Sequence, residues 1–301
     1  MGDTRECTGR NLVFLVGAPR SGTTWLQRLL ASHPQIRTGQ ETHLFNAYIY
    51  PLLRSWRTEL AKADAGVGRS GVGLPCYFTE EEYFDLVREF LYRILEGVTR
   101  DTGPGAVFLE KTPAHARFIP EIKSMLREAR FIHVIRDPRD VAASLLAAGQ
   151  GWGRAWAPTT IGPAARKWVE HACSARAAAG ELSASEYIEV RYEDLLTSPV
   201  ERLGELAEFM GLEWSNDAIR CAIDANEAEA LRKGGGTPIP VRGAVAERRG
   251  NLVSEPVGFV RAARAGSWRS DLSFRQKLHI WRKIRPIMAE YGYSWPIRDW
   301  F

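Results

Sequence analysis

The stretch VGAPRSGTTWLQRLLASHP, Val16 to Pro34, limits what this chain can fold into more than any other. It continues NLVFLV (Asn11 to Val16), a short apolar run with β-branched residues. It leads into Trp25, Leu26, Leu29 and Leu30 at helical spacing. Strand, glycine-bearing loop and helix in that order open a parallel α/β fold. Gly17, Gly22 and Thr24 keep the spacing of a phosphate-binding loop, G-x-x-x-x-G-K-[ST]. Thr23, however, stands where the lysine belongs, and Arg20 lies inside the loop. Backbone N–H groups at such a junction converge on one spot and the helix dipole adds to them, so the loop favours an anion. An ATP-using phosphotransferase needs in addition the lysine and an aspartate that holds Mg²⁺. Asp137, after the strand FIHVI, has that place in the chain, but standing before Pro138 it is more simply a helix cap.

The rhythm continues. AVFLEK, RFIHVI and YIEVRYEDL read as further strands. Thr79 with Glu82 makes a capping box ahead of a helix ending near Gly97. Thr112-Pro113, Asp137-Pro138 with Asp140, and Ser198-Pro199 each read as a helix start, the last helix running to about Met210. Alternation over this length predicts an α/β fold with a mainly parallel central sheet flanked by helices. One domain over 1–301 is expected, with loops or lids at 61–78, rich in Gly and Ala, and at 233–258, which carries GGGTPIP.

Composition excludes several classes. Forty Lys+Arg against 36 Asp+Glu, dispersed along the chain, give a net charge of +4 and no nucleic-acid footprint. The local basic stretches at Arg242 to Arg249, Arg261 to Arg269 and Arg282 to Arg285 are the exceptions. Cys7, Cys76, Cys173 and Cys221 are far apart with no C-x-x-C pair, which argues against zinc and against a disulfide framework. MGDTRECTGR lacks the apolar core of a signal peptide, and no apolar run reaches the length of a membrane span. These features lead to the expectation of a cytoplasmic protein that does not span a membrane. Its oligomeric state is not legible.

GAPRSGTTWLQRLL resembles the 5′-phosphosulfate loop of the sulfotransferases that use 3′-phosphoadenosine 5′-phosphosulfate (PAPS). RDPRDVAAS is similar to their second signature through Arg136 and Ser144, which there hold the 3′-phosphate. VRAARAGSWRSDLS matches a third through Arg261, Gly266 and Trp268, although Ala262-Ala263 depart from the usual Lys-Gly. The resemblance covers Gly17 to about Ser273 and implies the P-loop NTPase-like sulfotransferase fold. It implies PAPS as donor, adenosine 3′,5′-bisphosphate (PAP) as product, and no metal. Arg20 and the amides of Ser21, Gly22, Thr23 and Thr24 would then bind the phosphosulfate, and Trp25 and Tyr192 would lie at the adenine.

HPQIRTGQETHLF resembles the tyrosylprotein branch and related bacterial enzymes, placing Glu41 on the catalytic glutamate, with Gln40 departing from the preceding acid. His115 ranks second as base, after the histidine used by cytosolic members, and His43 third. Lys111 matches a lysine that stabilises the transition state, together with Arg20. The implied reaction is in-line transfer of a sulfo group to a hydroxyl. A small-molecule or lipid-like acceptor is preferred, and without a secretory signal a Golgi-type protein substrate is not expected. A P-loop phosphotransferase using ATP and a non-catalytic nucleotide-binding module are the rivals.

Overall fold

A computed structural model of the chain describes residues 8–64, 73–227, 229, 231, 235–250, 256, 259 and 264–293. Five parallel strands form its sheet: β1 (Leu12–Gly17), β2 (Ile36–Thr38), β3 (Val107–Lys111), β4 (Arg130–Ile135) and β5 (Tyr187–Arg191). Their order is β2-β3-β1-β4-β5. All six residues of β1 are buried, because it is the central strand and both its faces are covered. Phe14 and Val16 join a core with Phe45, Leu91, Ile119 and Phe131. Val13 and Leu15, one pleat apart, join a second core with Leu26, Leu29, Val134 and Leu203 on the opposite face.

Four of these strands are where the apolar runs predict them. β2 has no counterpart among those runs. It is three residues long, and its middle residue, Arg37, is exposed, so it offers no apolar run to detect. Thr42 to Trp56 shows no strand pattern and holds instead a π-helical segment, Leu44–Ile49, continuing into α2 (Tyr50–Asp64). Helix α1 (Thr23–Leu30) follows β1 directly. Helix α3 (Glu80–Val98) has the predicted box, with Thr79 Oγ1 accepting from Glu82 N and Glu82 accepting from Thr79 N.

Other local expectations need correction. Thr112 caps nothing: its hydroxyl goes back to Glu110, and Pro113–Arg117 is a 3₁₀ turn ahead of α4 (Ile119–Met125). Asp137 does cap α5 (Pro138–Gln150), accepting from Arg139 N at 2.9 Å. Asp140 does not close that box. It reaches a segment 126 residues on and accepts from Gly266 N (2.7 Å), Trp268 N (2.8 Å) and Ser267 Oγ (3.1 Å). Tyr192 is not in the strand but opens α7 (Tyr192–Thr197). Helices α6 (Ile161–Ala179), α8 (Pro199–Phe209) and α9 (Asn216–Ala225) complete the layers with the helix Phe274–Glu290; Ser198 makes no side-chain cap on α8. Within the two expected loops, 61–64 belongs to α2 and Gly243–Arg249 is a helix.

The chain enters the sheet at its centre, crosses first to the edge strand β2 and returns through β3, then passes to the other side through β4 and β5. Loops after β1, β3 and β4 therefore gather at one edge, at the switch point where open parallel sheets bind ligands.

Candidate active site

The loop from Gly17 to Gly22 sits at that switch point. Gly17 is required by close approach, since a Cβ there would lie 2.5 Å from the Val134 carbonyl oxygen on the neighbouring strand. Gly22, at φ 100°, caps α1 in the left-handed region, and a Cβ would meet Cδ2 of Tyr192 at 2.4 Å. Arg20 has φ 76°, a conformation costly for a residue with a side chain and concentrated at functional sites. No side chain caps the N-terminus of α1, which leaves the amides of its first turn to a ligand. The Ser21 amide is not one of these donors. It closes a turn onto the Ala18 carbonyl at 3.0 Å.

Arg20 and Arg136 meet here. Arg20 Nε donates to Ser144 Oγ at 3.2 Å and its Nη2 to the Phe259 carbonyl, while its guanidinium lies 4.4 Å from the Phe259 ring centroid and 5.3 Å from that of Trp152. Arg136 donates from Nη1 to the Arg20 carbonyl (3.2 Å) and from Nη2 to the Arg264 carbonyl (3.1 Å), with its guanidinium 4.2 Å from the Tyr192 ring centroid. Arg136 Nε and Ser21 Oγ are buried without a partner. Two guanidiniums resting on main-chain carbonyls, beside two orphaned polar atoms, suit a ligand rich in anionic oxygens. These residues fit a nucleotide carrying phosphate groups at two positions.

Trp25 stands edge-on to Tyr192, ring centroids 5.7 Å apart, and its indole N–H donates to the Asn226 carbonyl at 3.2 Å. Burial pushes the Tyr192 hydroxyl up, against the pull of Arg136. Gly266 does not turn its amide toward the loop, because Asp140 holds it. Trp268 is buried under the Arg139 guanidinium, 4.0 Å from its ring centroid, so the Gly-x-Trp element anchors its segment in the core. Arg261 lies outside the described residues.

The second centre joins β2 to β3. Lys111 Nζ donates to Glu41 Oε1 at 2.5 Å, and His43 Nε2 lies 3.5 Å from Glu41 Oε2. The lysine side chain is 6% exposed and the glutamate 36%, so a buried cation meets a carboxylate open to solvent. Two buried residues that sequence reasoning missed hold this segment. Gln27 of α1 donates to Thr38 Oγ1 and to the Gly39 carbonyl, both at 2.8 Å. Glu110 accepts from Thr42 and Thr112 hydroxyls and pairs with His115 Nδ1 at 2.9 Å. Burial pushes the Glu110 carboxyl up, but His115 and the two hydroxyls outweigh it and hold the group below the ordinary carboxylate range. The one signal for Glu110 was an acid inside an otherwise apolar strand.

His115 is not placed to act as base. It is wholly buried, its Nε2 accepts from the Phe45 amide at 3.2 Å, and its Nδ1 faces Glu110. No ring nitrogen remains for an acceptor's proton. Among the described residues no group of three or more His, Cys, Asp or Glu is arranged to hold a metal ion.

The parallel sheet, its switch-point loop and the two arginines beside it suit a protein that takes an anionic nucleotide. The chain belongs to the sulfotransferase family, whose model matches residues 13–216. It is 25% identical over 291 residues to protein-tyrosine sulfotransferase 1 of Danio rerio, covering 94% of this chain and 72% of that one. To protein-tyrosine sulfotransferase of Drosophila melanogaster it is 24% identical, covering 94% of this chain and 52% of that one. In structure it resembles mouse sulfotransferase SULT7A1 complexed with PAP (TM-score 0.58, 13% identity, 96% and 94% of the two chains covered). It also resembles the sulfotransferase domain of the Synechococcus PCC 7002 olefin synthase (TM-score 0.56, 20% identity, 98% and 100% covered). The P-loop-like sulfotransferase fold is thereby established, and the enzyme is a sulfotransferase.

The same relatives overturn the expectation of a cytoplasmic protein, because by name they act on protein tyrosines. That expectation rested on the first ten residues, on the wide spacing of the cysteines and on the lack of a long apolar run, which do not by themselves report where a chain works. The argument drawn from it against a Golgi-type protein substrate loses its basis. Among the described residues no helix is long and apolar enough to cross a membrane.

Proposed function

We propose that the chain transfers the sulfo group of PAPS to a phenolic hydroxyl, releasing PAP. The observation that carries this reading is the Glu41–Lys111 pair, a solvent-facing carboxylate held at 2.5 Å by a buried ammonium at the carboxyl end of β3, next to the loop strand. PAPS, when bound, supplies an electrophilic sulfur and a phosphate leaving group. Arg20 and the first-turn amides of α1 bind its phosphosulfate; Arg136 and Ser144 bind its 3′-phosphate. Glu41 accepts the proton of the acceptor hydroxyl, and Lys111 and Arg20 stabilise the charge that develops on the transferring group and the oxygen it leaves.

A phenol suits this base. Its hydroxyl ionises near pH ~10, within reach of a carboxylate whose product is a developing phenolate. The relatives named for protein tyrosine support the same acceptor class. The test offers PAPS with tyrosine-containing peptides, small phenols and long-chain alcohols, and reads the mass of each for one added sulfo group. Modification of a phenol or peptide tyrosine is the expected result. Modification of the alcohols alone moves the acceptor to the lipid-like class, and no modification of any of them contradicts the reading.

A further inference from the structure

Resting on the assignment of Glu41 as base, we propose that Glu110 is a positioning residue: it gathers the backbone amides of residues 42 to 45 and so fixes the turn that presents Glu41 to Lys111. Those four consecutive N–H groups lead into the π-helical segment Leu44–Ile49 and have no acceptor within it. Each one ends at Glu110. The Thr42 amide donates to Oε1 directly, at 3.4 Å. The His43 amide donates to Thr112 Oγ1 (3.3 Å), which donates to Glu110 Oε1 (2.6 Å). The Leu44 amide donates to Thr42 Oγ1 (3.2 Å), which donates to the same oxygen (2.7 Å). The Phe45 amide donates to His115 Nε2 (3.2 Å), leaving Nδ1–H to meet Glu110 Oε2 at 2.9 Å.

The direction of every bond is fixed. A hydroxyl that accepts from an amide has its own hydrogen for the carboxylate, and an imidazole that accepts at Nε2 carries its proton on Nδ1. Four donors converge on one side chain that is 2% exposed, and only an ionised carboxylate, which accepts at both oxygens, satisfies them all. The turn they fix holds His43 at φ 51°, in the left-handed region. The next residue along the strand, Lys111, holds Glu41 itself. Neighbouring residues of β3 therefore grip the two ends of one segment: Lys111 takes the reacting carboxylate and Glu110 takes the backbone behind it. The donors to Glu110 come from Thr42, Thr112 and His115, which lie after β2 and β3 and not in the loop after β1.

Glu110→Gln tests this. An amide offers one oxygen and adds two donors where four already converge. The expected result is a fall in kcat of about 100-fold, the scale of a displaced catalytic group, with PAP affinity unchanged by calorimetry. Because Glu110 acts through Glu41, the double variant Glu41→Gln/Glu110→Gln is expected to be no slower than Glu41→Gln. A Glu110→Gln enzyme within about threefold of wild-type kcat overturns the inference, and so does a double variant slower than Glu41→Gln by the full single-variant factor. If Glu110→Gln does not fold, Thr42→Val keeps the carboxylate and removes one relay. A fall in kcat of about tenfold with PAP affinity intact then supports the proposal, and full kcat overturns it. The two readings fail differently. An inactive Glu41→Gln beside a wild-type-like Glu110→Gln sinks this inference alone, whereas a fully active Glu41→Gln sinks both.

Discussion

Replacing Glu41 with Gln is expected to lower kcat by about 10³-fold and to leave PAP binding in place, within the usual range for removing a general base. The amide keeps the shape of the side chain and an oxygen for Lys111 Nζ, so the turn and the lysine stay where they are. What it cannot do is take a proton from the acceptor. Donor affinity is expected to be unaffected, because the residues proposed to hold the nucleotide, Arg20, Arg136 and Ser144, lie after β1, after β4 and in α5. Saturating kinetics beside calorimetry on the same preparation separates the two effects. A variant within about threefold of wild-type kcat removes Glu41 from the chemistry, and His43, 3.5 Å away, becomes the group to replace next.

Gly22→Ala has a comparably large effect on the other half of the site. A Cβ there would lie 2.4 Å from Cδ2 and 2.7 Å from Cε2 of Tyr192, at a φ of 100° that L residues avoid. Tyr192 cannot easily yield, being buried and packed against the Arg136 guanidinium. Backbone strain and overpacking together are expected to destabilise the fold by about 2–4 kcal/mol and to move the loop off its amide geometry. Chemical denaturation reads the first effect and PAP calorimetry the second, with binding reduced about 100-fold or more. Tyr192→Ala in the same chain removes the clash and is expected to recover stability relative to Gly22→Ala alone. If Gly22→Ala binds PAP like the wild type, the close packing of Tyr192 beneath the loop is not what shapes the site.

That Arg20, Arg136 and Ser144 gather at the loop after β1 was largely legible in the sequence, because the patterns that single them out are local. Gly17, Arg20 and Gly22 lie within six residues, and Arg136 and Ser144 share one capped helix start. The pairing of Glu41 with Lys111 also matches the residues singled out by pattern. What escaped was held by long-range hydrogen bonds that periodicity does not encode. Asp140 has the spacing of a capping box and serves a segment 126 residues away. His115 has the composition of a base and serves as a buried relay. Glu110, which four amides reach through one direct bond and three side-chain relays, is invisible without the turn it holds. β2 escaped because three residues flanked by Pro34 and Gly39 carry too short a pattern.

The proposed reaction requires a loop that holds a doubly phosphorylated adenylate with amides, arginines and Ser144 and without a divalent ion. Titrating the purified chain with PAP by calorimetry, in buffer containing a chelator of divalent ions, tests this most directly. Saturable one-to-one binding that magnesium does not improve is the predicted result. No heat with PAP, alongside tight binding of ATP once magnesium is supplied, would contradict it.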